Sequence, residues 1–259
     1  MRALFLSFIV FFTSGQSDVV PDSAVFSVGE QIKYKVHYGF VNAGEAIMKI
    51  DDNLSSLNGS PCYKVVVQGN SIGMFDFFMR VRDTWGTEID TSSFIPHKFF
   101  MNIEEGKYRK HEVINFEQKD QKASVRKYHT KDKYWKPIVS HEVPEKVQDI
   151  VSSYYYLRTL DFKRMSFGQI IRMNVFFEDE VFDLEIRYIG VEEVKTKLGT
   201  YEALVLSPIM PENSLFDGEN SIRVWLSNDQ NKIPLKVKAN MFVGAVEVDI
   251  QEYIQGKTQ

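Results

Sequence analysis

The sequence predicts a mainly β protein: curved antiparallel sheets, open-barrel or sandwich-like, packed around one central α-helix. Three observations carry that reading. Apolar residues alternate with polar ones in strand-length runs from Phe26 almost to the end, one stretch at Pro144–Arg158 has helical spacing instead, and landmarks of the first β stretch return further on.

Residues 1–15 read as a signal peptide. Met1 and Arg2 precede Ala3–Phe12, an apolar run broken only by Ser7, and Thr13, Ser14 and Gly15 supply a small-residue cleavage site. The run is shorter than the ~20 residues a membrane-spanning helix needs, and no later segment approaches that length. Residues 16–25 follow as a polar, flexible leader, and 26–259 as a single β-rich domain.

In that domain Ile32, Tyr34 and Val36 alternate with Lys33, Lys35 and His37 up to a turn at Gly39. Ala43–Ile50 is a second strand, residues 51–61 a loop rich in Asn, Ser and Gly, and Cys62–Gln68 a third strand. Met74–Val81, crowded with Phe75, Phe77 and Phe78, fits a buried strand or a short helix equally well. Arg82–Asp90 and Phe94–Ile103 continue the strands, with Pro96 marking an edge or a bulge. After a turn at Glu104–Gly106, Tyr108–Phe116 and Ala123–His129 read as hairpin arms, and Lys131–Glu142 as a loop.

The helix is expected over 144–160. The fixed φ of Pro144 suits its first position, Glu145 suits its positive end, and Arg158, Lys163 and Arg164 gather at its close. Val147, Ile150, Tyr154 and Leu157 form one apolar face. The opposite face carries Asp149, Ser152, Ser153 and Tyr156 rather than Lys and Glu, so both faces are expected to be covered.

From Gly168 the β pattern resumes, and it echoes the opening. Phe26, Gly29, Glu30, Ile32 and Val36 are matched at an offset of 139 by Met165, Gly168, Gln169, Ile171 and Val175. At an offset of 138, Tyr63, Val67, Pro96, Lys98, Asn102 and Gly106 recur as identical residues. Two related units, 26–129 and 165–254, are the expectation.

Composition narrows the function classes. The chain is 44% hydrophobic and 14% aromatic with net charge −4, which gives it a core and withholds the basic patch of a nucleic-acid binder. Its single cysteine, Cys62, rules out an internal disulfide and reads as a small buried hydrophobe. No G-x-S-x-G elbow, phosphate loop, dinucleotide fingerprint or H-E-x-x-H is present. No two of the five histidines lie three to five residues apart, and His141 with Glu142 reads as part of a solvated loop rather than a metal site. Carboxylate pairs such as Asp51 with Asp52, Glu104 with Glu105 and Glu192 with Glu193 sit at turns. No catalytic, cofactor or metal residues are assigned.

The candidates that remain are Asp149, Ser152, Tyr156 and Arg158. Spacings of three and four put the first three on one helical face, where buried polar atoms need partners. Either they clasp the helix to the sheet, or they form a polar patch in an aromatic cavity. Arg158 either closes an ion pair or holds an anionic ligand group. Adjacent aromatics such as Phe99 with Phe100 and Phe176 with Phe177 point to opposite faces of a strand, so some must meet a second layer, a ligand or a partner.

Several stretches together resemble a known family, domain of unknown function 3108. They are Phe26–Tyr34 (FSVGEQIKY), Ala43-Gly44-Glu45, Asp149–Arg158 (DIVSSYYYLR), Leu198–Tyr201 (LGTY), and Trp225-Leu226-Ser227 with Asp229 and Pro234. The resemblance covers nearly all the mature chain. It implies a periplasmic or otherwise exported β-rich protein with no established activity or cofactor, somewhat like the open β-barrels of lipoprotein and lipid carriers in the bacterial envelope. The leading reading is therefore a non-enzymatic binder of an apolar or lipid-like ligand. The alternative is a structural or assembly module that binds another envelope protein, and a hydrolase stands last.

Overall fold

In a computed structural model, which describes residues 25–209, 221–241 and 244–257, the alternating segments pair into one antiparallel sheet. The expected signal peptide lies outside the described residues. Val25, the last residue of the expected leader, is buried, so the folded part begins at least one residue earlier than the sequence suggested.

The first part of the chain supplies β1 (Gln31–Tyr38), β2 (Val41–Ile50), β3 (Ser55–Leu57), β4 (Ser60–Ser71), α1 (Gly73–Phe78), β5 (Arg82–Asp90), β6 (Pro96–Glu105) and β7 (Tyr108–Glu117). β8 (Lys122–His129), β9 (Tyr134–Trp135) and β10 (Val139–Glu142) extend it, followed by α2 (Ser152–Arg158). The second part supplies β11 (Ile170–Phe177), β12 (Glu180–Thr196), β13 (Gly199–Pro208), β14 (Ile222–Ser227), β15 (Pro234–Asn240) and β16 (Ala245–Ile254).

Most strands pair with the next in sequence, but β2 pairs with β4 while β3 flanks β4 alone, β9 and β10 both pair with β8, and β16 returns to pair with β1, from Gln31 opposite Ile254 to Tyr38 opposite Val246. The sheet thus runs from β10 at one end to β11 at the other. It curls until those ends approach: Phe116 of β7 meets Phe176 of β11 edge to face at 6.2 Å, and Lys127 of β8 pairs with Asp179 in the β11–β12 turn. No ladder joins β10 to β11 among the described residues, so the barrel stays open.

β1 and β11 start at Gln31 and Ile170, and β6 and β15 at Pro96 and Pro234. Each of those prolines faces a register shift in the preceding strand, at Glu88/Ile89 and at Trp225/Leu226. A residue with no N–H to donate sits where the ladder is already interrupted.

Three differences from the sequence reading have physical causes. The helix expected over 144–160 forms only from Ser152 to Arg158. Before it, Lys146 takes a left-handed φ of 58°, and Gln148 pairs in parallel with Val175 on the free edge of β11. Its N–H donates to the Asn174 carbonyl, and the Phe176 N–H donates to its own carbonyl, both at 2.8 Å. The backbone that would have made the first helical turn is committed to the sheet instead. Ile150, assigned to the apolar face, is accordingly exposed. The segment expected as a loop at 131–142 contains β9 and β10, paired to β8. Met74–Val81 resolves as the short helix α1, which buries none of its residues.

The core fills the concave side. Phe26, ahead of β1, stands edge-on to Tyr155 of α2 at 4.9 Å, to Tyr63 at 5.2 Å and to Phe94 at 5.8 Å. Leu157 and Leu160 enter a second cluster with Ile171, Tyr188 and Leu206, and Ile32, Trp225 and Leu235 belong to a third. Each such fully buried side chain contributes roughly 1.5–3 kcal/mol. The paired aromatics divide by face: Phe99 and Phe176 point inward and are buried, while Phe100 lies outward across Gly86, where a Cβ would come within 2.2 Å of its ring.

Candidate functional site

Asp149 is buried at the mouth of α2 and caps it. One carboxylate oxygen accepts from the Val151 and Ser152 N–H groups at 2.8 Å each, and the Ser152 hydroxyl accepts from the Asp149 N–H at 2.8 Å. Two orphan helix donors are thereby satisfied. The second carboxylate oxygen accepts from the Thr87 hydroxyl of β5 at 2.6 Å, tying helix to sheet. Burial pushes the carboxyl up to about 6, against those hydrogen bonds, which hold it down.

Arg158, at the other end of α2, is also buried. Its guanidinium donates to both Glu30 oxygens, at 2.6 and 2.8 Å, and to the Val25 carbonyl at 3.2 Å, while Nε donates to the Asn231 carbonyl at 2.9 Å. The rings of Phe26 and Tyr155 lie 5.3 and 5.4 Å from its centre. The Tyr253 hydroxyl of β16 reaches Glu30 at 3.5 Å. A bidentate pair with its donors this fully used has fixed geometry. It draws the segment before β1, the helix, the β14–β15 loop and the last strand to one point.

The candidates therefore divide. Asp149 and Ser152 are together, with Asp149 as a cap rather than a helical residue. Tyr156 packs with the second core cluster, and Arg158 forms a separate centre. Thr87, Glu30 and Asn231 were not singled out from sequence. Glu30 lies inside the FSVGEQIKY stretch, whereas nothing local marks Thr87. Cys62 is buried and its thiol is pushed up to about 11 by burial, which makes it a poor nucleophile at neutral pH. No group of three or more His, Cys, Asp or Glu side chains gathers in metal-holding geometry among the described residues.

A second buried acid closes the open side of the barrel. Glu112 of β7 lies between Lys110 and Lys127, 3.6 Å from each ammonium, and burial raises its carboxyl above the usual range. Lys110 also pairs with Glu178 at 3.1 Å and Lys127 with Asp179, both in the β11–β12 turn, and His141 lies 3.7 Å from Asp179.

The model of the family described as protein of unknown function (DUF3108) matches residues 33–251. The chain belongs to this family. No curated protein matches it. Among solved structures, this DUF3108 chain is similar to a β-barrel-like protein of domain of unknown function DUF1849 from Brucella abortus, with TM-score 0.59 at 11% identity over 90% of this chain and 100% of that one. At that identity the likeness shows a shared fold. A candidate exported protein with a YmcC-like fold from Bacteroides fragilis aligns with TM-score 0.37 and 7% identity over 89% and 97% of the two chains. A candidate lipoprotein from Parabacteroides distasonis aligns with TM-score 0.35 and 11% identity over 89% and 98%. No helix among the described residues of the DUF3108 chain is long and apolar enough to cross a membrane.

Proposed function

We propose that the protein is an exported, non-enzymatic binder of apolar, lipid-like ligands that works through one end of the barrel rather than through its interior. The observation that carries this is the gathering of exposed apolar side chains there: Phe40 at 107%, Phe77 at 85% and Phe78 at 77% of full exposure, with Met74 and Met79 beside them. A soluble domain rarely leaves such a patch uncovered without use. The interior is a poorer candidate, because Phe26, Tyr155 and their neighbours occupy it. Enzymatic readings have little support, since Asp149, Ser152 and Arg158 are spent on contacts within the protein.

Export rests on the charged and apolar N-terminal run read from sequence. A fluorescent acyl probe kept below its aggregation threshold tests the binding: the wild type should bind it, and the double substitution Phe77→Ser, Phe78→Ser should weaken binding at least tenfold. Equal binding by both proteins would discard the reading. The alternative, a module that assembles with another envelope protein, is favoured by one feature: edge strand β10 with exposed Ile138 and Val139 beside Trp135.

A further inference from the structure

Because β1, β2, β4, β5, β6 and β7 are consecutive antiparallel neighbours, the β1–β2 turn, the α1 connection and the β6–β7 turn all emerge at one end of the sheet. Contacts hold them side by side. The Ile72 N–H donates to the Ala43 carbonyl at 3.0 Å, the Tyr38 ring meets Phe75 at 6.2 Å, and the Gly106 N–H donates to the Arg80 carbonyl at 2.8 Å. Phe40, Met74, Phe77, Phe78, Met79 and Tyr108 project from these three segments, all exposed.

We infer that this end docks on the surface of an anionic lipid bilayer, its aromatic and methionine tips entering the headgroup boundary. The inference deepens the apolar-binding reading above and rests on it. Rings as exposed as Phe40 and Phe77 stand proud of the surface, with no groove of their own around them. A rigid protein partner must supply a matching socket for each, whereas a bilayer moulds to them, and aromatic side chains favour its interface.

Charge points the same way. Asp76, on the polar side of α1, is held by Arg82 at 2.6 Å and by the Ser71 hydroxyl at 2.6 Å, and Glu104 lies 3.7 Å from Arg109. Glu105 lies against Asp83, and its carboxyl is raised by burial and by that neighbour. Arg80 and Lys107 are exposed and form no salt bridge among the described residues, while Arg80 helps to hold the Asp76 carboxyl down from beyond salt-bridge distance. Two cations outside salt bridges, beside protruding rings and with Asp76 and Glu104 already paired, suit phosphate headgroups.

Vesicle flotation tests this with the full mature chain. Vesicles of phosphatidylethanolamine with phosphatidylglycerol should carry the wild type upward, and Phe40→Ser with Phe77→Ser and Phe78→Ser should reduce the bound fraction at least tenfold. Arg80→Glu with Lys107→Glu should reduce it severalfold on those vesicles, with no change on phosphatidylcholine alone. None of these side chains is buried, and circular dichroism confirms that each variant folds. If the wild type stays at the bottom of the gradient yet still binds the dispersed acyl probe, bilayer docking is overturned and apolar binding stands. If it does neither, both are overturned. Flotation unchanged in the aromatic variant, or a wild-type dimer that this variant dissociates, would also overturn it.

Discussion

At the scale of single residues, Asp149 is a carboxylate placed where its hydrogen bonds are needed and its charge is costly. Burial raises its pKa to about 6 from an ordinary value near ~3.9, so the folded state holds the proton longer than the unfolded one. The stability this gives is fully present below about pH 4 and is lost as pH rises through about 6, a swing of at most about 3 kcal/mol. Asp149→Asn keeps a capping oxygen and removes the charge. Its stability in urea should rise relative to wild type between pH 4.5 and pH 7, and Asp149→Ala should follow the same pH trend while lying about 2 kcal/mol below Asp149→Asn at either pH, because it also loses the cap. Arg158 poses the converse problem. Arg158→Met leaves Glu30 buried without its partner and should cost about 3–5 kcal/mol, and Glu30→Gln in the same chain should restore a large part of it. A double-mutant cycle measured by denaturation checks the coupling. The sequence marked both residues through polarity on an otherwise apolar helix, but their partners lie up to 133 positions away, and no local pattern pairs Thr87 with Asp149 or Glu30 with Arg158.

Among the elements, the strands were legible because a half-buried sheet imposes a period of two on the sequence. The helix was only half legible. Val147, Ile150, Tyr154 and Leu157 keep helical spacing, yet Val147 is buried by a strap lying along β11, and Ile150 is exposed. Two features outweighed the periodicity: the Asp149 cap, which fixes where the helix starts, and the open edge of β11, which takes the backbone of Gln148. Gln148→Pro removes the N–H that donates to Asn174. It should cost about 2–3 kcal/mol and speed hydrogen exchange at the Phe176 amide, which donates to the Gln148 carbonyl. Unchanged protection at Phe176 would show that the strap contributes little to holding that edge. The short α1 was ambiguous for a different reason. Its apolar residues have no inward face to report, because none of them is buried.

For the whole molecule, the β1–β16 ladder joins the first and second parts of the sheet, while its ends at β10 and β11 share no ladder among the described residues. There the strap and a cluster of charged side chains take the place of a strand pair, with Glu112 at the centre of Lys110, Lys127, Glu178 and Asp179. Lys127→Met should cost about 1–3 kcal/mol, since it strips a buried carboxylate of one of two neutralising charges. Hydrogen exchange should then rise in β11 and β12 first, while β4–β6 stay protected. Uniform loosening would instead mean that the cluster supports the entire barrel. None of this seam was readable from sequence, because its members lie on β7, β8, β10 and the β11–β12 turn and no local pattern links these charged residues.

The pairing of β1 with β16 also sets the order in which the barrel can be completed. Lys33 finds Glu252 across 219 positions of chain, so β1 waits for β16. Until the C-terminal strand arrives, Ile32 and Tyr34 lie on an uncovered edge, and the protein is tied to slow, late closure by its topology.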